Sequence, residues 1–451
     1  MIEGLLSPIA WHGLLCNLIY LYNMTRLCSK TLGYYIPSFF EMYIDTDIDD
    51  LTINRLPIKD MTILFHEYIH FLQDFTTFYG LSAIYTHSEY LHSVVNRIYN
   101  HGSNSFSVPF EIKDNNDNVL LNRQISKLTL GDTSEIDILK ISDITKSSDE
   151  LLPNVYFNAI PNRILCTKDN IMIFGAMAIM ENMAYLMERC CSPKGYEKSP
   201  DFPYTAAEKV AEFYSPEFAR DKLKVLALCD MSLQCSNPGV CFVNIMEGVA
   251  EKRLVFDTPE SIYDYFYSQE TVHHGSLEHK SFLEQYKIML MRVQTQLKGY
   301  LQNMPMLESY YKWIDNIVRF ALDWRENDPY FLLKMANHAD LATNGCWGKA
   351  VHDVGTPLMV NSLGHYFKIL SNDCTLDMDV EYFRALREIE NLFETGKIEC
   401  SMYDWCTNSL KSSPNDLCNV APWEKCSEKE LCPYALFWRH WKLSGYKPLQ
   451  K

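Results

Sequence analysis

The stretch that most constrains this chain is ILFHEYIHFLQDFTTFYGL, residues 63–81. Bulky apolar residues dominate it, yet it carries two histidines, a glutamate, a glutamine and an aspartate. At ~100° per residue, Phe78, Phe71, Leu64, Phe75, Tyr68, Leu72, Phe65 and Ile69 cover about half the circumference of a helix. Gln73, His66, Thr77, His70, Asp74 and Glu67 share the other arc, broken only by Ile63. So wide an apolar arc predicts a helix that is core on one side. The polar residues then form one stripe with a purpose of its own.

His66 and His70 stand one turn apart, so both imidazoles point the same way and can share one ion at about 2.0–2.1 Å. Glu67 lies about 60° round from His70, beside the ion rather than on it. With one further protein ligand, a tetrahedral zinc keeps an open position for water. The ion lowers the pKa of that water towards ~7. Glu67 can then take the proton during attack on a carbonyl and pass it to the leaving amine.

The His-Glu-x-x-His pattern, here HEYIH, resembles the zincin metallopeptidases. The likeness runs on through HEYIHFLQDFTTFYGL, because thermolysin-like zincins also carry an aspartate four residues past the second histidine, then a Thr and a Gly-Leu. Asp74 holds that place, as a residue behind the ligands or at the helix end. The resemblance implies zinc as cofactor, His66 and His70 as ligands, Glu67 as general base, and hydrolysis of a protein or peptide substrate.

The third ligand must come from another element, because FLQDFT follows His70 and the extended HExxHxxGxxH form is absent. In FGAMAIMENMAYLMER, Glu181 sits in a stretch that is apolar all round, so the stretch should be a buried helix. A buried carboxylate there is costly unless paired or bound to metal. Gly175, Ala176 and Ala178 would let another helix approach. This is similar to the gluzincin arrangement, in which a glutamate on a second helix completes the site; Glu181 is the expected ligand and Glu188 its competitor. Tyr185 stands four residues past Glu181, where the family has an acidic residue, and its hydroxyl could accept from a histidine N–H. For the oxyanion donor that such a reaction needs, the sequence offers His273, His274, His279 and His352 without preferring one.

The rest of the chain predicts an α+β fold: a zincin-like N-terminal lobe with a small β region, then a mainly α-helical lobe. Residues 1–33 form an apolar segment, with no charge from Gly4 to Thr25 but with Pro8, His12, Asn17 and Asn23 in it. These argue for a packed helix rather than a membrane span. YYIPSFFEMYID reads as a strand, and Asp60 as the N-cap of the histidine helix, which should end near Gly80. A second helix covers 82–100.

The metal-binding lobe spans 34–200 and includes a β-rich insertion at about 104–168. The insertion is built from SFSVPFEI, NVLLNRQISKLTL, EIDILKISDI, NVYFNAI and NRILCT, and a helix follows at 171–190. Residues 201–395 form the helical lobe, and 396–451 a Cys- and Trp-rich end.

The net charge of −16 and the lack of a basic run argue against a nucleic-acid partner. Fifteen cysteines at irregular spacing, without a signal-like start, predict a reducing, cytoplasmic setting with free thiols. The sets Cys229, Cys235, Cys241 and Cys400, Cys406, Cys418, Cys426, Cys432 lack zinc-ribbon spacing; core cysteine is preferred there over a second metal. Two other functions stay open beside the peptidase: a non-catalytic helical interaction protein with a degenerate site, and a metal-dependent amidase of small substrates.

Overall fold

A computed structural model of the chain describes residues 32–48, 56–113, 117–146, 155–159, 171–272, 279–304, 307–369, 381–409 and 414–451. The apolar segment 1–31, NRILCT, His273 and His274 lie outside the described residues. The architecture is mixed α+β, mostly helical, with small sheets.

YYIPSFFEMYID is two strands rather than one. β1 (Gly33–Ile36) and β2 (Glu41–Ile44) pair antiparallel around a tight turn. Pro37 ends β1, and Ser38 and Phe40 take positive φ values of 68° and 51° to reverse the chain. β2 pairs in parallel with Leu358–Asn361, which pairs with Tyr366–Phe367, so β1 is an edge of this four-stranded sheet.

The histidine helix, α1 (Ile58–Thr76), begins at Pro57 with no side-chain cap. Asp60 is therefore not the N-cap; it lies in the first turn and accepts from Thr46 Oγ1 at 2.8 Å. The helix ends at Thr76, short of Gly80. Thr77 turns extended and caps α2 (Phe78–Asn100), accepting from the Gly80 amide at 3.0 Å. A buried helix end needs partners for its last carbonyls, and side chains and Thr77 supply them to Gln73, Phe75 and Thr76. The Thr77 amide and hydroxyl donate to Gln73 O, Tyr286 to Phe75 O at 2.8 Å, and Arg325 to Thr76 O at 2.7 Å.

The apolar arc of α1 is core as expected. Phe71 is ringed by Tyr35, Phe40, Tyr68, Phe75 and Trp313 at 4.9–6.4 Å between ring centres. Trp313 comes from the helix Glu308–Asn327, so late elements cover the early one.

In the insertion, β3 (Ser105–Val108) pairs in parallel with Lys447–Gln450. NVLLNRQISKLTL is a helix, α3 (Asn118–Leu130), and not a strand. Asp117 caps it by accepting from the amides of Val119 and Leu120, and Gly131 ends it at φ 83°. β4 (Ile141–Lys146), β5 (Val155–Ala159) and β6 (Ile171–Phe174) form a three-stranded antiparallel sheet. β6 takes the first residues of the expected 171–190 helix, and Gly175 separates it from α4 (Ala176–Cys191). α4 packs along α1, and no described helix is long and apolar enough to cross a membrane.

Candidate metal centre

The polar stripe of α1 faces α4 and β1, not solvent. Glu67, Gln73 and Asp74 are buried, and His66 keeps only 9% of its surface. Glu181 arrives from α4. His66 Nε2 and His70 Nε2 each lie 3.3 Å from Glu181 Oε2, and 3.3 Å from one another. These three atoms form a nearly equilateral triangle. Two ligands of a tetrahedral zinc at about 2.0–2.1 Å are themselves about 3.3–3.4 Å apart. The donor set therefore fits one face of a zinc tetrahedron in size as well as in chemistry. Among the described residues it is the one cluster of three such side chains that converges.

Each histidine is held from behind, which frees its Nε2 for the centre. His66 Nδ1 donates to Glu188 Oε2 at 2.9 Å, and His70 Nδ1 donates to Gln73 Oε1 at 2.8 Å. Gln73 is fixed in turn by donating to Met180 O at 3.1 Å. Glu188 is thus no rival to Glu181 in this geometry; it stands two helical turns on, on the same face, and takes the outer nitrogen.

Without an ion, the carboxylates of the site draw protons onto its imidazoles. Burial works against a charged His66 ring, but Glu181 and Glu188 overcome it and raise its pKa well above the ordinary value. Burial and Glu181 act in the same opposing way on His70, with a net rise. Burial pushes Glu181 up, yet the two histidines hold it well below the usual carboxylate range. The site keeps a carboxylate charged in a buried place and gathers positive charge around it.

Glu67 flanks the triangle. Burial lifts its carboxyl to about 7 against the pull of His66 and His70. Gly33 on β1 makes room for it: a Cβ there would come 2.8 Å from Glu67 Oε1 and 2.6 Å from Ile63 Cγ2. The triangle opens on a cavity of about 70 Å³. Tyr34, Tyr35 and Pro37 form one wall, and Met177, Met180 and Tyr204 another.

Two expected neighbours of the ligands do other work. Asp74 does not touch a histidine; it accepts from Tyr35 Oη at 2.8 Å and Ser38 N at 2.7 Å, tying the β1–β2 turn to α1. Tyr185 does not reach the histidines either. Its hydroxyl donates to Glu197 O and accepts from Ser199 N, both at 3.3 Å. Glu188 fills the role given to Tyr185, and a seven-residue spacing from Glu181 was the signal for it.

His352 is exposed and paired with Asp353, and His279 is exposed on a short strand; neither lines the cavity. Tyr204, missed in the sequence, does, with its ring 6.2 Å from that of His66. Cys400, Cys406, Cys418 and Cys432 line one small hollow, but no three of their sulfurs converge. No family model, no curated protein and no solved structure matches this chain.

Proposed function

We propose that the protein is a zinc-dependent peptidase whose metal is held by His66, His70 and Glu181. The observation that carries this reading is the 3.3 Å triangle of donor atoms at the mouth of a cavity. A zinc ion there would polarise a substrate carbonyl and acidify a water. The chain supplies the rest. Glu188 and Gln73 hold the imidazoles in the tautomer that presents Nε2. Glu67, buried beside the triangle, would accept the proton of that water and return it to a leaving amine. Met177, Met180 and the tyrosines exclude water from that exchange.

The described cysteines are all free thiols, which supports a reducing, cytoplasmic setting.

The small cavity favours a second reading, hydrolysis of a small amide, since pockets for larger ligands usually measure about 300–1,000 Å³. One assay series serves both. Wild type and Glu67→Gln should bind zinc equally, and the variant should lose at least about 100-fold in hydrolysis. Cleavage of polypeptides supports the peptidase, and cleavage of short acyl amides alone supports the amidase. Equal hydrolysis by the variant contradicts both.

A further inference from the structure

Cys235 and Cys241 lie on either side of a turn, and their sulfurs meet. The Cys235 thiol donates to Cys241 Sγ at 3.0 Å. Both are free thiols and both are partly exposed, with Ser236 exposed between them. Cys191 and Cys229, by contrast, are buried, and Cys191 donates to a backbone carbonyl, Met335 O. We propose that Cys235 and Cys241 are a redox-active dithiol that closes to an intramolecular disulfide, with a low-molecular-weight disulfide as oxidant.

The exchange balances. One thiolate of the pair attacks the small disulfide, a mixed disulfide forms, and one small thiolate leaves. The other thiolate of the pair then attacks the protein sulfur of the mixed disulfide and expels the second. Two electrons pass from the protein pair to the oxidant, and the two thiol protons end on the two released small thiols.

The turn is placed to matter. The residues just before it hold the break after α1: Tyr79 N donates to Leu233 O and Phe78 N to Gln234 Oε1, both at 2.9 Å. Gln234 Nε2 donates to Thr76 O at 3.3 Å. On its other side Gly239 abuts Phe174, just before α4, so closely that a Cβ would come 2.2 Å from the Phe174 carbonyl oxygen. The turn thus braces both helices that carry His66, His70 and Glu181. A disulfide across it fastens that brace, whether or not the centre hydrolyses peptides.

The test equilibrates the full chain in graded mixtures of reduced and oxidised glutathione, blocks remaining thiols by alkylation, and maps the peptides. Cys235 and Cys241 should lose alkylation together and appear as one internally linked peptide, two hydrogens lighter. In Cys235→Ser, Cys241 should end as alkylated thiol or as a glutathione adduct. The oxidised wild type should melt at a higher temperature than the reduced form, and Cys235→Ser should not. Two cysteines that stay alkylatable throughout, that stop at glutathione adducts, or that pair with other cysteines overturn the proposal. A linked pair with no rise in melting temperature overturns the brace.

Discussion

At the scale of single residues, the centre depends on what stands behind its ligands. Glu188 fixes His66 from the nitrogen that faces away from Glu181. Removing such a partner typically costs about 10–100-fold in metal affinity. Glu188→Gln should therefore weaken zinc binding by that order in a competition titration, while Tyr185→Phe should leave it unchanged. Reversed results would return Tyr185 to the role its spacing suggested.

Asp74 allows a second test. Burial lifts its carboxyl from 3.8 to about 7, against the Ser38 amide and the Tyr35 hydroxyl. The folded chain thus keeps a proton that the unfolded chain releases. The sign follows: this contribution to stability is full below about pH 4 and is lost as pH rises to about 7, by at most about 1.4 kcal/mol per pH unit. Asp74→Asn should remove that slope. Urea unfolding of both proteins at several pH values between 4 and 8 measures the difference, and parallel profiles would contradict the assignment.

At the scale of elements, the end of α1 is the critical joint. Arg325 and Asp230 are fully buried and paired at 2.7–2.8 Å, and Arg325 also donates to the Thr76 carbonyl. Deleting one member leaves a buried charge alone, at a cost of about 3–5 kcal/mol. Asp230→Ala should lower unfolding stability in urea by that order. A loss below about 1 kcal/mol would mean that the joint relaxes without cost.

The first helix was legible because its apolar arc and polar stripe separate on a wheel. Its end was not, because Thr77 breaks the helix by capping the next one, and Gly80 then falls inside α2. NVLLNRQISKLTL was misread because its apolar residues look strand-like in a row. Leu121, Ile125 and Leu128 keep a helical spacing, and the Asp117 cap and Gly131 stop bound it.

For the whole molecule, the mixed α+β class and the convergence of His66, His70 and Glu181 could be read from local pattern and from the cost of burying a carboxylate. The long-range pairings could not. Leu358–Asn361 beside β2 and Lys447–Gln450 beside β3 join segments from opposite ends of the described chain, and neither strand carries a local mark of its partner. Tyr204 was missed for the same reason: its loop meets α1 only after folding.

The whole chain also sets the sternest competition for the metal, since it holds 15 cysteines as alternative zinc ligands. The most direct measurement of the central claim is therefore X-ray absorption at the zinc edge, with metal counting, on wild type and His66→Ala. The account predicts one zinc per chain in the wild type, a nitrogen and oxygen shell at about 2.0–2.1 Å with imidazole scattering, and loss of that zinc in the variant. No stoichiometric zinc, or a sulfur shell at about 2.3 Å that survives in His66→Ala, would contradict it.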